Sequence, residues 1–407
     1  MVKEKYVITH REINLSVSNG EISSVIKKSH VKSACRAYDN GCIGVAGKFG
    51  EADEELMRQA VENLKLGIPY EAEATVGAVR QEHRECGDFS MEDSSSFLKE
   101  AEEVLGILKQ EYPQLIFSNK IYLREDSTRL INDAGTDLQY SDRIMGYVLL
   151  VKHVDSVNIF DDSLVFMVRE YHRDAFLKEA REHLDAFLNP VEMPEGDMLP
   201  VVMDPMQLGQ FIIMNLDALA FGHKTSFFNG KLGEKLFDDK FSLYVDRGPE
   251  VIGNAFFDVE GSTCRDDKCY LIQNGVLVRP FADKKLAGEF GYENTATAGG
   301  AYDSVPSNTG YSFSGECSQQ TLQELIGEGD GIYITNMSGG DFTSEGDFAS
   351  PVQTAFLYRQ GRLVGRLPEF NISGNIYDIF GRNYVGISSD KPYEGDHKMV
   401  VKMQISR

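Results

Sequence analysis

The alternation of polar and apolar residues in the first half of the chain predicts strands interleaved with three helices. Residues 12–17 alternate strictly, which is the period of a half-buried strand. Further strand patterns lie on both sides of a turn at residues 132–135, and they cover residues 114–121, 127–133 and 139–153. Apolar residues recur at helical spacing in three longer segments, so we expect helices over residues 53–66, 92–110 and 166–187.

A proline-rich connection ends this first part of the chain. Residues 189–200 contain three prolines and three acidic residues, a composition that favours an extended backbone. We therefore place a domain boundary here, with an N-terminal domain of mixed α/β structure over residues 1–189 and a strand-rich C-terminal domain over residues 190–407. The expected fold class is α+β, with a largely antiparallel sheet in the second domain.

The C-terminal domain is predicted to begin with a buried strand and a helix and to continue in strands. The apolar strand pattern covers residues 199–205, and the helix that follows covers residues 205–220. Asn274 and Gly275 favour a tight hairpin, because both residues readily adopt positive φ angles. Other strand patterns lie at residues 241–246, 332–334, 355–359, 363–365 and 399–405.

The charge of the chain argues against direct binding of nucleic acid. With 63 acidic and 41 basic residues the formal net charge is −22, which repels a phosphate backbone. The short basic cluster at residues 27–32 is interpreted as the solvated face of a helix or loop. No apolar run reaches about 18 residues and the first residues form no apolar signal core, so we expect a cytoplasmic protein that does not enter membranes.

The six cysteines are more consistent with free thiols than with disulfides, because no signal segment indicates an oxidising compartment. Cys264 and Cys269 have a spacing that could provide half of a metal site, but no second pair with a matching spacing follows. His83 and Cys86 are also close in sequence, and we interpret them as part of a solvated loop or helix turn. No structural metal is expected at either place.

An ordered set of short motifs occupies the second half of the chain. It begins with the acidic segment FDVEGSTCR at residues 257–265 and continues with IQNGVL at 272–277 and TATAGG at 295–300. GDFAS at 346–350 and ISGNIYDIF at 372–380 complete the set. In this order the motifs resemble the TldD/PmbA family, the two-subunit peptidases once called modulators of DNA gyrase.

The resemblance also implies where zinc would be bound. The catalytic branch of the family carries a His-Glu-x-x-x-His helix and a Cys ligand near the C-terminus. In this chain no His is followed by Glu, the matching helix at residues 211–220 offers only Asn215 and Asp217, and the last cysteine is Cys317. His223 follows that helix and is interpreted as a surface or turn residue. The resemblance therefore indicates the PmbA/TldE-like branch, with no catalytic or metal-binding residue of its own and with zinc in a TldD-like partner.

The resemblance places the C-terminal motifs near a substrate cleft. Asp258 and Glu260 could act as a general acid and base, could cap backbone amides, or could pair with Arg265, and these alternatives stay open at this point. The glycines of the motifs could equally be turn residues that need positive φ angles. Eight residues are predicted to line the cleft: Asp258, Glu260, Gly261, Arg265, Thr297, Gly299, Gly346 and Asp347.

The family implies a function in proteolysis. A PmbA/TldE-like chain would pair with a TldD-like metallopeptidase subunit, and the complex would degrade or trim extended or unfolded peptides. Such peptides could add as a strand to an exposed sheet edge. The alternatives are a self-sufficient hydrolase with a divergent site, for example a homodimer, and a non-enzymatic binding or regulatory protein. Whether the isolated chain is an enzyme stays open at this point.

Overall fold

The computed structural model describes residues 1–85, 87, 89–337, 339–393 and 395–407. In the first half of the chain the strands are β1 (Val2–Ser18), β2 (Glu21–Asp39), β3 (Cys42–Phe49), β4 (Val79–Glu85), β5 (Leu115–Asn132), β6 (Asp137–His153) and β7 (Asp162–Val168). The helices there are α1 (Glu54–Asn63), α2 (Ser95–Glu111) and α3 (Arg173–Leu188), and a 3-10 turn over Leu64–Leu66 extends α1.

These seven strands form one twisted sheet that positions the rest of the molecule. Six strands lie in the order β3-β2-β1-β5-β6-β4, and β7 pairs with β6 beyond the end of β4. All pairings are antiparallel except the one between β4 and β6. The predicted alternation on β1 is confirmed, since Ile13, Leu15 and Val17 are buried in one core with Phe97 and Leu105 of α2.

The second half of the chain is rich in short elements. Its strands are β8 (Met198–Met203), β9 (Leu243–Asp246), β10 (Lys268–Gln273), β11 (Val276–Leu277), β12 (Phe313–Gly315), β13 (Gly331–Met337), β14 (Asp341–Phe342), β15 (Asp347–Arg359), β16 (Arg362–Arg366), β17 (Phe370–Asn375), β18 (Tyr384–Ile387) and β19 (Met399–Ser406). Its helices are α4 (Pro205–Met214), α5 (Ala218–Gly222), α6 (Lys284–Phe290), α7 (Leu322–Ile326) and α8 (Ile376–Ile379). No helix in the described ranges combines the length and the apolar character needed to cross a membrane.

Two sheets organise this half. The smaller has the order β11-β10-β9-β12. In the larger, five strands form a closed ring of pairings from β13 through β8, β19, β17 and β15 back to β13, in which the β8–β13 contact is parallel and the others are antiparallel. The long strand β15 closes the ring because its first part pairs with β17 and its second part with β13. The predicted α+β class with a largely antiparallel C-terminal sheet is confirmed.

One hydrophobic core crosses the predicted domain boundary. Phe176 and Leu184 of α3 pack in the same cluster as Val202 of β8 and Phe356 of β15. The ring of Phe356 also lies edge-on to His183, with 4.8 Å between the ring centroids. Strands before residue 189 belong to one sheet and strands after it belong to the other two, as the predicted boundary implies. The hydrophobic core, however, continues across that boundary. The exact position of the boundary therefore remains a prediction.

Three local predictions were wrong. The predicted helix over residues 166–187 begins only at Arg173, because residues 162–168 pair with β6 as strand β7 and bury every second side chain. The single helix predicted over residues 205–220 is two helices, α4 and α5, and the Asp217 carboxylate begins the second by accepting from the Leu219 amide at 2.8 Å. The basic cluster at residues 27–32 lies on strand β2, not on a helix or loop.

The turn chemistry was predicted correctly. Asp53 caps α1 by accepting from the Leu56 amide at 2.9 Å. Asn274 and Gly275 join β10 to β11 with φ angles of 49° and 77°. A Cβ atom at Gly275 would lie 2.2 Å from the Phe237 carbonyl oxygen, so glycine is required there for space as well as for conformation.

Phe356→Ala is expected to loosen both halves of the molecule, because its fully buried ring lies in the core that α3 shares with β15. We expect the free energy of unfolding to fall by about 3–5 kcal/mol. Amide hydrogen exchange should become faster in α3 as well as in β15. Phe241→Ala is the matched control, since that buried ring belongs to a core confined to the second half. Equal effects of the two variants on α3 would contradict a shared core.

Candidate functional site

The motif at residues 257–265 folds into a tight turn that is buried against the N-terminal sheet. Phe257 and Thr263 form an isolated antiparallel bridge, and Gly261 between them has a φ of 73°. A Cβ atom at Gly261 would lie 3.2 Å from Thr75 Oγ1 and 3.3 Å from Leu138 Cδ1. The Thr75 hydroxyl also donates to the Glu260 carbonyl oxygen at 2.7 Å. The motif therefore lies between the two halves of the chain.

Asp258 caps backbone amides within this turn. One carboxylate oxygen accepts from the amides of Glu260 at 2.9 Å and Ser262 at 2.8 Å, and the other accepts from the Ala298 amide at 3.0 Å. Burial raises the pKa of Asp258, while the nearby Arg247 charge and the three amides oppose that shift. Of the alternatives open from the sequence, the structure thus places Asp258 in a capping arrangement, where it fixes the shape of the turn.

Glu260 is enclosed by residues from both halves. The Tyr70 hydroxyl donates to its carboxylate, and the Lys284 amide donates to its other oxygen at 3.2 Å. Burial, assisted by the negative charge of Asp283, raises the pKa of Glu260 to about 7, and Lys284 opposes the shift. A carboxyl group with such a pKa can hold or release a proton near neutrality. Its side chain is 2% exposed, so in this chain it has almost no access to solvent.

A buried ion pair links the turn to the first two strands. Arg36 of β2 is 1% exposed and Glu4 of β1 is fully buried, with 3.4 Å between Arg36 Nη1 and Glu4 Oε1. Arg36 also donates to the Val259 carbonyl oxygen, and its guanidinium lies over the Tyr6 ring at 5.0 Å. The Tyr38 hydroxyl donates to Glu4 at 3.1 Å. These contacts hold the turn at residues 257–265 against strands β1 and β2. The charges of Arg36 and Glu4 are both shielded from water there.

Thr297 and Gly299 lie on the segment that packs beside the turn. The Thr297 hydroxyl donates to Asn308 Oδ1 at 2.6 Å, and the Gly299 amide donates to the Ser307 carbonyl oxygen at 2.7 Å. A Cβ atom at Gly299 would lie 2.3 Å from the Gly310 amide nitrogen. Glycine is therefore needed for the close approach of two backbone segments.

The other three predicted cleft residues are placed differently. Arg265 ends the motif with a side chain that is 96% exposed, and it forms its ion pair with Asp266 at 3.8 Å, not with Asp258 or Glu260. Gly346 precedes β15 with a φ of 83°, and Asp347 accepts from Asn375 Nδ2 at 2.9 Å. Five of the eight predicted residues thus lie in or beside the turn, one lies on the surface and two lie at β15. Their role in a substrate cleft stays a prediction.

The structure adds residues that the sequence analysis did not single out: Glu4, Arg36, Tyr70, Arg247 and Lys284. Arg36 carried a signal, because it is the one charged residue in an apolar strand segment and buried arginines require partners. Tyr70 carried none, because its partner Glu260 is 190 positions away in the sequence. Only the folded chain brings such pairs together.

By the resemblance, the zinc-binding helix of the catalytic branch corresponds to α4 and α5, and the donor groups here do not fit zinc. Asn215 Nδ2 donates to the Phe211 carbonyl oxygen at 3.0 Å, and Asn215 Oδ1 accepts from the Phe227 amide at 2.9 Å. Asp217 caps α5. A zinc site needs at least three His, Cys, Asp or Glu ligands around one point. Within the ranges given above, no group of three or more such side chains is arranged to hold a metal ion.

Aromatic rings occupy this region instead. Phe211 of α4 stacks on Phe342 with 4.5 Å between ring centroids and meets Phe227 edge-on at 5.3 Å. Phe227 in turn stacks on Tyr377, and the Lys231 ammonium lies 4.9 Å from the centre of the Tyr377 ring. These rings supply packing, not ligands, to the region around α4.

The other residues considered for a metal site are placed as follows. The Cys264 thiol donates to the Thr295 carbonyl oxygen at 3.5 Å, and interaction with the neighbouring Cys269 thiol raises the pKa of Cys264 and lowers that of Cys269. His83 lies on strand β4, not in a loop or helix turn as expected, and its Nδ1 contacts Ser141 Oγ at 2.8 Å. Cys86 lies outside the described residues. His223 is the exposed C-cap residue of α5.

The fold places this chain in a class of two-domain α+β proteins with known structures. TldE from Thermococcus kodakarensis matches with a TM-score of 0.78 and 20% identity, over 100% of this chain and 97% of that chain. A putative modulator of a DNA gyrase from Thermotoga maritima MSB8 matches with a TM-score of 0.75 and 18% identity, over 100% and 95% of the two chains. At these identities the likeness concerns the fold alone.

Residues 195–401 match the model of the PmbA/TldA metallopeptidase C-terminal domain, and the chain belongs to that family. A metalloprotease of Methanothermobacter thermautotrophicus is 28% identical over 211 residues, which are 48% of this chain and 44% of that protein. Metalloprotease PmbA of Escherichia coli O157:H7 is 26% identical over 171 residues, 41% of this chain and 35% of that protein. The chain spans less than half the length of each of these curated relatives.

The free energy of unfolding should fall as the pH rises from about 4.5 to about 7 because of Glu260. Its carboxyl group titrates near 4.5 in the unfolded chain and at about 7 in the folded one. Between these values the folded state keeps a proton that the unfolded state has released, so a rise in pH favours unfolding. The change is on the order of 3 kcal/mol.

Urea unfolding of the wild type and of Glu260→Gln across this pH range measures the effect. The variant cannot titrate at this position, so its stability should depend less steeply on pH. Asp347→Asn, which removes an exposed carboxylate far along the chain, should leave the wild-type slope unchanged. A slope as steep in Glu260→Gln as in the wild type would contradict the assignment.

Arg36→Ala should destabilise the protein by about 3–5 kcal/mol, because it leaves the fully buried Glu4 carboxylate without its charge partner. Adding Glu4→Gln to this variant should recover part of the loss, since a neutral amide is cheaper to bury than a carboxylate. Thermal unfolding of the two single variants and the double variant completes the cycle. Strictly additive losses would mean that the two side chains do not interact.

Proposed function

We propose that this chain is the subunit without its own zinc in a TldD/TldE-type metallopeptidase complex that degrades or trims extended peptides. The observation that carries the proposal is the donor set of α4 and α5. Asn215 and Asp217 satisfy backbone amides and Phe211 packs against other rings, so nothing there can take the place of two imidazoles. Family membership supports a role in proteolysis, and the chemistry would come from a second chain.

The names of the relatives point in the same direction. Three of the matching curated proteins are described as metalloproteases, one of them as PmbA, and one matching structure is described as TldE. These descriptions belong to those proteins. For this chain they support a peptidase complex as the setting in which its residues act.

Within such a complex this chain would contribute rigid walls. The turn at residues 257–265 is held by the buried network of Glu4, Arg36 and Tyr70, and the adjacent segment at residues 295–310 is held by close backbone packing. Rigid walls reduce the conformational entropy that is lost when an extended peptide is bound. The zinc and the activated water would belong to the TldD-like partner.

The test is a reconstitution. The chain is purified alone and together with a TldD-like protein from the same genome, and zinc content and cleavage of an unfolded peptide are measured for each sample. We expect zinc and chelator-sensitive cleavage in the mixed complex. We expect neither zinc nor cleavage in the sample of this chain alone. Glu260→Gln in this chain should leave zinc content unchanged, because no metal ligand is altered.

Each contrary result supports a specific alternative. Zinc together with chelator-sensitive cleavage in the isolated chain, as a monomer or homodimer, would support a self-sufficient hydrolase. If the chain binds neither the TldD-like protein nor unfolded peptides, the result would support a non-enzymatic binding or regulatory protein. Either result would overturn the accessory-subunit proposal.

A further inference from the structure

Strand β2 has a long unpaired edge. It runs from Glu21 to Asp39, but β3 covers only its second part, from Lys32 onward. The Gly50 amide donates to the Val31 carbonyl oxygen, which shows that odd-numbered residues of β2 direct their backbone groups to the β3 side. At Val25, Lys27 and Ser29 these groups point outward, and no other described residue hydrogen-bonds to them. All side chains from residue 23 to residue 29 are exposed.

This edge is basic in a strongly acidic protein. Residues 27–31 carry two lysines and one histidine and no carboxylate, and Glu21 at the other end of the edge is paired with Lys109, in a chain whose net charge is −22. Lys27 forms no ion pair with any described residue, and Lys28 forms a half-exposed one with Glu12 at 3.4 Å. Val25 and Ile26 on the two faces of the same strand are 44% and 45% exposed. The edge thus offers main-chain groups, positive charge and modest apolar surface together.

We propose that the outer edge of β2, residues 21–31, binds an extended acidic peptide segment by strand addition. The unpaired amides and carbonyl groups of Val25, Lys27 and Ser29 would form the ladder. Carboxylates of the bound segment would lie across from Lys27 on one face and Lys28 on the other, because side chains alternate between the faces of a strand. The main-chain hydrogen bonds would require an extended conformation of the bound segment. The lysines would favour segments that carry negative charge.

The charge decides between possible occupants. Lysines on an edge strand discourage pairing with a second copy of the same edge, because the like charges of the two copies would lie close together. The same lysines favour a strand with carboxylates, although the net charge of the protein is negative. An acidic polypeptide segment is therefore the occupant that the local charge of this edge favours.

The inference goes beyond the proposed function and does not depend on it. The edge lies on the N-terminal sheet and includes none of the residues of the turn at 257–265 or of α4 and α5. Binding requires neither zinc nor a second subunit. A failure of the reconstitution and a failure of edge binding can therefore be told apart with the same purified chain.

Fluorescence anisotropy with the isolated full-length chain tests the proposal. The probe is a fluorescein-labelled peptide of about twelve residues built from Glu-Glu-Thr-Thr repeats, which places carboxylates on both faces of the strand and is long enough to cover the edge at roughly 3.4 Å per residue. Two further probes carry Lys in place of Glu, or keep the Glu residues but have every backbone nitrogen methylated. We expect binding of the first probe only, and weaker binding as ionic strength rises.

Charge reversal locates the site. The double variant Lys27→Glu and Lys28→Glu should weaken binding of the acidic probe by about tenfold or more, because two attractive cross-strand pairs become repulsive. The control variant Lys178→Glu and Lys240→Glu makes the same change in net charge at two exposed positions on other parts of the chain and should bind as the wild type does. Circular dichroism of both variants checks that the fold is retained.

Three results would overturn the proposal. One is no detectable binding of the acidic probe at low ionic strength. Another is equal binding of the acidic probe and its N-methylated form, which would exclude a main-chain ladder. The third is equal weakening in the β2 variant and in the control, which would mean that net charge and not this edge controls binding. A dimer that sedimentation shows to be lost in the β2 variant would instead indicate that a second copy occupies the edge.

Discussion

Arginines of the N-terminal half donate hydrogen bonds to backbone carbonyl groups of residues 247–267, the irregular segment between β9 and β10. The position of this segment, and of the motif within it, depends on these bonds. Arg36 donates to the carbonyl oxygen of Val259, Arg84 to that of Val251 at 3.3 Å, and Arg169 to that of Val251 at 2.8 Å. A segment without regular structure satisfies only part of its own backbone groups, so the remaining buried ones need partners from other segments. The N-terminal sheet therefore supports the shape of the C-terminal motif, and these bonds join the two halves in addition to their shared hydrophobic core.

This dependence explains the arrangement of the charged residues at the candidate site. The Asp258 carboxylate accepts hydrogen bonds from three backbone amides, and Glu260 is enclosed by Tyr70 and Lys284. Each carboxylate is buried where a partner from elsewhere in the chain meets it, because an unpartnered buried charge would be too unfavourable to retain. Burial also raises the pKa of Glu260 toward neutrality. The same packing that fixes the turn thus gives this group a proton that it can exchange near neutral pH.

The sequence predicted the features that depend on local chemistry. The α+β class, the cap at Asp53, the turn at Asn274 and the family all follow from short segments that carry their own signal. It did not predict β7, because the apolar residues of that strand run directly into the helical spacing of α3 and the two patterns merge. It also did not predict the partners of Glu260 or the unpaired edge of β2. Both depend on which strands become neighbours, and alternation along a single strand carries no information about that.

The clear family motif and the poor donor set for zinc in the same chain have a common physical explanation. Asp258 and Gly261 shape the turn, and Gly299 permits a backbone approach that any side chain would block. Loss of any of these three residues would disturb folding whether or not a metal is bound nearby. Metal ligands have no such second role, and at α4 the rings of Phe211 and Phe342 pack the region without them. In the proposed function, a subunit without its own zinc needs the motif for folding but does not need the ligands, so the motif reports the fold and the ligand set reports the reaction.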